Sequence, residues 1–208
     1  MWSEHCELSE RAFSDPAIAL LEFDSISAGI VAADAMVKTS PIEAIHTGTV
    51  QPGKYLVLAN GDTASVEIAL ATGRDVGGSN VTDWVFLPDI HPEVTAAIVG
   101  GVPGASLTEE ALGIVETSTV AAVIDAADSG VKTANIAVSA VRIADGLGGK
   151  GYVLFSGVVA EVEAAVEAAT ERTGPHGTLV RADVIAQLHE EMAENLGAEL
   201  RFMKRVVV

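Results

Sequence analysis

Short apolar runs alternate with amphipathic stretches along this chain. Residues 18–23 are almost wholly apolar and predict a buried strand. Asp24 or Ser25 can cap a helix reaching about Thr39, whose apolar positions Ile26, Ile30, Ala33 and Val37 recur at helical spacing. Two strands follow at 44–50 and 55–59, around the turn Gln51-Pro52-Gly53. A second helix over 63–74 is stopped by Gly77-Gly78-Ser79, and a strand at 81–87 leads into a short helix at 92–99. The predicted order is β-α-β-β-α-β with a terminal helix.

The same pattern then runs again. Laying Ala17 on Ala111, a displacement of 94 residues, matches Glu22 with Glu116, Ala32-Ala33-Asp34 with Ala126-Ala127-Asp128, and Val37-Lys38-Thr39 with Val131-Lys132-Thr133. Two further residues enter the second copy, after which Gly53-Lys54 matches Gly149-Lys150 and Gly61 matches Gly157. Matched acids, lysines and glycines in order identify a tandem duplication. In the second copy the helical face is Val120, Ile124, Ala127 and Val131. Strands at 138–143 and 152–155 flank Asp145, Gly146, Leu147, Gly148 and Gly149. A helix over 158–172, the breaker Gly174-Pro175-His176-Gly177, a strand at 178–185 and a helix at 188–196 complete it. The expected fold class is α+β, an α/β sandwich of two tandem ferredoxin-like (split βαβ) domains. A polar leader (1–16), with a short helix through Leu8-Ser9-Glu10-Arg11, precedes the first domain (17–100). A linker (101–108) joins it to the second (109–208).

Composition narrows the function classes. Two copies in 208 residues give about 100 residues each, an ordinary domain size. Apolar residues make up 49% with only 4% aromatic, so Ala, Val, Ile and Gly dominate, which suits thin, tightly packed layers and extensive subunit contacts. A formal net charge of −17 argues against nucleic-acid binding, which needs a concentrated basic face. The apolar stretches are interrupted by Glu22, Asp24, Asp34 and Lys38, or by Asp125, Asp128 and Lys132, so none reads as a membrane span. The N-terminus lacks a basic start and an apolar core, making the cytosol the expected compartment. Cys6 is the sole cysteine, which excludes an internal disulfide and a cysteine-cage metal site; it reads as a free surface thiol.

The candidate chemistry is sparse. The run Gly146-Leu147-Gly148-Gly149-Lys150 lies between two strands, whereas a phosphate cradle needs its glycines at a helix N-terminus. A tight turn, or a loop kept free of side chains where backbones converge, is the expected role. His5, His46, His91, His176 and His189 lack a metal-ligand spacing. His91 and His189 follow the last strand of each copy, which suggests a shared structural or interface role. Asp34 with Lys38, and Asp128 with Lys132, stand four apart on a helix and can pair. No nucleophile elbow or acid–base pair stands out, so the residues do not describe an enzyme.

The segment 111–136 (ALGIVETSTVAAVIDAADSGVKTANI), with its strand, glycine loop and valine-rich strand, resembles a bacterial microcompartment shell domain. Two such domains in tandem resemble the trimeric, pseudohexameric class of those shell proteins. The runs LLEFDSISAGIVAADAMVK, TVQPGKYL, LPDIHPEV, ALGIVET and GLGGKGY carry the likeness over about 17–196, in the unpermuted order, and are most similar to the propanediol-utilisation T type. The resemblance implies that three chains form a flat six-domain disc. It places Gln51, Pro52 and Gly53, alternating with Asp145, Gly146, Leu147, Gly148 and Gly149, around a central pore. It also puts Lys38 and Lys132 at the seams between discs.

Two departures qualify the resemblance. That T type carries a cysteine in the first pore loop, where three copies hold an iron–sulfur cluster; this chain has Gln51, and three neutral amides cannot replace three thiolates. No cofactor and no metal are therefore expected. Where many family members carry a tiling arginine, Asp89 and Gln187 stand instead. The resulting expectation is a non-enzymatic shell protein, localised to a cytoplasmic microcompartment shell. Its expected partners are its own copies in a homotrimer, other shell proteins, encapsulated enzymes and small metabolites crossing the pore, with no nucleic acid and no membrane. The alternatives are a tandem ferredoxin-like regulator holding a small molecule, and an electron-transfer protein.

Overall fold

The computed structural model of the chain describes residues 16–99, 110–144 and 146–197. The expected leader helix, the linker and Asp145 lie outside the described residues. The first domain contains β1 (Ala17–Phe23), α1 (Ile26–Thr39), β2 (Ala44–Val50), β3 (Lys54–Gly61), α2 (Thr63–Gly77), β4 (Val81–Leu87) and α3 (Pro92–Ile98). The second contains β5 (Ala111–Thr117), α4 (Val120–Thr133), β6 (Ala137–Ile143), β7 (Gly151–Gly157), α5 (Val159–Thr173), β8 (Leu179–Ala186) and α6 (Glu190–Gly197). Each domain has a four-stranded antiparallel sheet, in the orders β2-β3-β1-β4 and β6-β7-β5-β8. This is the split βαβ arrangement in both copies. Of the two caps that the sequence offered α1, Ser25 is the one used: its side chain accepts the Ala28 N–H at 3.3 Å. Thr119 caps α4 in the same way.

All seven residues of β1 are buried, because its two faces serve different cores. Ala17, Ala19, Leu21 and Phe23 join Met36, Val57, Val66 and Ala69 in a core of the first domain. Ile18 and Leu20, on the opposite face, join Val85, Leu87, Ile90 and Val94 in a second cluster. That cluster continues through Val120, Ile124 and Val131 into the core of the second domain. The two domains therefore share apolar packing.

The apolar face expected for the first helix has a different role from its copy. Val120, Ile124, Ala127 and Val131 on α4 are all buried, because β4 and α3 of the first domain cover them. On α1 only Ala33 of the corresponding four is buried, while Ile26, Ile30 and Val37 are 41%, 52% and 44% exposed. Small residues, Gly29 and Ala32 among them, bring α1 onto its own sheet instead. The larger side chains point away from that sheet, at a surface the second copy has covered and the first has not.

Candidate pore loops and domain interface

The two loops singled out by sequence meet in the folded chain. In the β2–β3 turn, Gly53 has φ +105° and donates its N–H to the Val50 carbonyl at 2.9 Å; the Gln51–Pro52 bond is cis. The β6–β7 loop is closed by Ala144 N–H to the Lys150 carbonyl at 3.0 Å, and by Leu147 N–H to the Ala144 carbonyl at 3.1 Å. Gly146, Gly148 and Gly149 have φ of +77°, +64° and +83°, a region where a side chain is strained. A Cβ on Gly149 would stand 3.2 Å from the Gln51 carbonyl and 3.4 Å from Pro52. The loops thus lie close enough that a side chain at Gly149 would crowd the Gln51 carbonyl, and Gly149 is buried there. Gln51, Pro52, Gly53, Gly146 and Gly148 are exposed, and Leu147 is half-buried.

Behind each loop stands a lysine–glutamate pair that sequence reading aligned without assigning a role. Lys54 Nζ lies 3.1 Å from Glu22 Oε2, and Lys150 Nζ lies 2.7 Å from Glu116 Oε1. The Glu22 side chain is fully buried, whereas that of Glu116 is 35% exposed. The difference again comes from the second domain: Glu22 Oε1 accepts the Ala121 N–H at 2.8 Å, in the first turn of α4. Burial pushes the Glu22 carboxyl above its usual range, against the opposing pull of Ala121 N–H and Lys54. The signal for these pairs was the match of Glu22 with Glu116 and of Lys54 with Lys150.

The interface candidates divide by copy. His91 sits at the domain junction, where its N–H donates to Asp128 Oδ1 at 2.8 Å and its Nδ1 accepts the Glu93 N–H at 3.3 Å, capping α3. Lys132 Nζ reaches Asp128 Oδ2 at 2.7 Å and also donates to the Asp89 carbonyl, joining α4 to the first domain. Thr119 Oγ1 donates to Asp83 Oδ2 at 2.5 Å, and Glu93 Oε2 accepts the Val138 N–H at 2.8 Å. In the other copy His189 caps α6 identically through Glu191 N–H, yet it is exposed. Lys38 pairs with Asp34 at 2.5 Å with both side chains exposed. Among the described residues, no group of three or more His, Cys, Asp or Glu is placed to hold a metal ion. No described helix is long and apolar enough to cross a membrane.

A family model described as the BMC domain matches residues 17–90 and again 111–188, so the chain belongs to the BMC-domain family, with two such domains in tandem. A curated relative, the bacterial microcompartment shell protein PduT of Citrobacter freundii, is 42% identical over 176 residues, which span 85% of this chain and 95% of the relative. A crystal structure of a microcompartment protein from Desulfitobacterium hafniense superposes with a TM-score of 0.75 at 37% identity, covering 87% of this chain and 99% of that one. The fused permuted hexameric shell protein of the RMM microcompartment shares the fold at a TM-score of 0.55 and 19% identity, over 76% of this chain and 81% of its own.

Proposed function

We propose that this chain is a structural, non-catalytic shell protein of a bacterial microcompartment, acting as a homotrimer whose six domains surround a pore. Family membership supports the shell role. The observation that carries the trimer is the domain junction, which joins two different surfaces: the β4–α3 side of the first domain and the α4 face of the second. Each surface has a bare duplicate. The α1 face of the first domain exposes Ile26, Ile30 and Val37, and the β8–α6 side of the second exposes Val180, Ile185 and Met192. A junction between unlike surfaces repeats head to tail, and closes into a ring when its rotation allows.

Repeating the internal junction between chains assigns the remaining partners. Glu116 of one chain takes the Ser27 N–H of the next, as Glu22 takes Ala121 N–H. The backbone N–H of His189 takes Asp34, as that of His91 takes Asp128. The loops at 51–53 and 146–149 then ring the axis, with Gln51 amides and bare glycine backbone facing small polar metabolites. Lys132 keeps its contact with the Asp89 carbonyl, and Lys38 takes the equivalent Gln187 carbonyl of the next chain. Both stand at the rim end of their junctions, where neighbouring discs and other shell proteins meet around enclosed enzymes.

Light scattering after size exclusion tests this reading. A mass near three times 21.4 kDa is expected. A stable monomer or dimer at low micromolar concentration overturns the ring.

A further inference from the structure

Away from the loops, a cavity of about 390 Å³ opens between the two domains of one chain. Edge strand β4 forms one wall; the start of α4 and the C-terminal end of α5 form the other. Its volume falls within the roughly 300–1,000 Å³ of small-molecule sites. Six side chains carry its character: Asp83, Trp84, Phe86, Asp125, Arg172 and His176.

The charges here are already engaged. Arg172 forks onto Asp125, with Nε 3.2 Å from both oxygens and a terminal nitrogen 2.9 Å from Oδ1. Asp83 accepts from Thr119 Oγ1 and from the Trp84 N–H. The Arg74 guanidinium lies 4.0 Å from the centroid of the Trp84 ring. The helix-start N–H groups of Ala121 and Ala122, which could have met an anion, are taken by Glu22 and Thr119. An ionic ligand of either sign must therefore share groups that are already paired.

What the cavity offers freely is apolar surface beside a strand edge. Trp84 is 40% exposed, Phe86 is half-buried, and Ala121 and Ala122 line the far wall. The Trp84 N–H points away from β1, to its neighbour's carboxylate. Antiparallel alternation turns the N–H and C=O of Phe86, two residues on, toward the same side. A hydroxyl or carbonyl group can bond there without competing with a charge.

The duplication shows that domain docking alone does not generate this lining. The strand registers put Arg181, Ala182 and Val184 in the places of Asp83, Trp84 and Phe86. The repeat puts Val31 and Val76 in the places of Asp125 and Arg172. The aromatic wall and the ion pair therefore occur at the junction within a chain and not at its duplicate.

We infer that this cavity binds a small uncharged organic molecule, with a hydroxyl or carbonyl on an apolar body, laid against Trp84 and Phe86. The site is complete within one chain, so it stands or falls separately from the trimer. Benzyl alcohol, benzylamine and benzoate serve as isosteric probes of charge, titrated into the intact protein while amide and indole NMR shifts are followed. Saturable shifts at Trp84, Ala121, Ala122 and Thr173 are expected with benzyl alcohol, at least tenfold tighter than with either ion. Trp84→Ala should weaken binding fivefold or more and Trp84→Phe much less, with circular dichroism confirming that both fold. Equal or tighter binding of an ionic probe, shifts mapping elsewhere, or no saturation up to the solubility limit of benzyl alcohol overturns the proposal.

Discussion

Glu22 accepts the Ala121 N–H at 2.8 Å across 99 residues of chain, binding the first sheet to the first turn of α4. Its carboxylate is fully buried in doing so, with Lys54 as its cationic partner. The duplicate glutamate, Glu116, lacks that helix and stays partly exposed. One pair of matched residues thus separates the copy whose glutamate the other domain covers from the copy whose glutamate it leaves partly exposed.

This burial gives a pH dependence of known sign. The folded chain holds the Glu22 proton to higher pH than the unfolded chain, because desolvation raises its pKa. Below the ordinary carboxylate range both states carry the proton and the residue adds no slope. As pH rises, the unfolded chain releases its proton first, and stability falls until the folded pKa is passed. Glu22→Gln removes this fall. Urea midpoints of wild type and variant, measured from pH 4 to 7.5, should change in the variant's favour as pH rises. Parallel curves would show that Glu22 titrates normally.

The two lysines behind the loops should differ in worth although they align. Lys54→Met leaves a buried carboxylate without its cation, at about 2–4 kcal/mol, toward the low end for a broken buried pair because Lys54 is 21% exposed. Lys150→Met removes an exposed pair and costs about 0–1 kcal/mol in a separated chain. Denaturant unfolding of both variants checks the ranking. Equal losses would mean that Glu22 finds water.

The helix–sheet contacts of the two copies have exchanged volumes. A Cβ on Gly29 would come within 2.5 Å of Tyr55 Cδ1, and one on Gly151 within 2.3 Å of Val123 Cγ1. Gly29 corresponds to Val123, and Tyr55 to Gly151, so each copy places its large residue opposite a glycine. Gly29→Val alone overpacks this contact, and Tyr55→Gly alone empties it. The double variant restores the arrangement of the second copy and should be less destabilised than the sum of the singles, by about 0.5–3 kcal/mol. Strict additivity in a double-mutant cycle would refute the exchange.

Strand order and domain repeat were legible because matched Asp, Lys, Glu and Gly residues kept their register through one small insertion. The two strand-joining turns were legible because Gln51-Pro52-Gly53 and Gly146-Leu147-Gly148-Gly149 interrupt apolar runs with turn-forming residues. The destination of the apolar faces was not. Ile30 and Ile124 look alike in sequence, yet one is 52% exposed and the other fully buried. Their difference lies in which domain docks where, a long-range fact that helical periodicity does not encode. The cavity was hidden for the same reason, since Trp84 and Arg172 lie 88 positions apart and meet only through the docked domains.

That difference between Ile30 and Ile124 also yields the sharpest test of assembly. Ile124→Asp puts a charge into a shared core and should unfold the chain. Ile30→Asp alters an exposed site, so the single chain should lose no more than about 0.5 kcal/mol. In the ring, however, that carboxylate would meet the β8–α6 side of the next chain, and the expected mass falls from three chains to one. Met192→Asp attacks the complementary surface and should also give a folded monomer. Because the junction joins unlike surfaces, each variant keeps one of them intact. An equimolar mixture should therefore form a two-chain species, through β8–α6 of Ile30→Asp and α1 of Met192→Asp, and proceed no further. Sedimentation of the mixture decides the matter: a two-chain boundary requires head-to-tail contact, whereas monomers alone, or an intact trimer from either variant, would place the contact elsewhere.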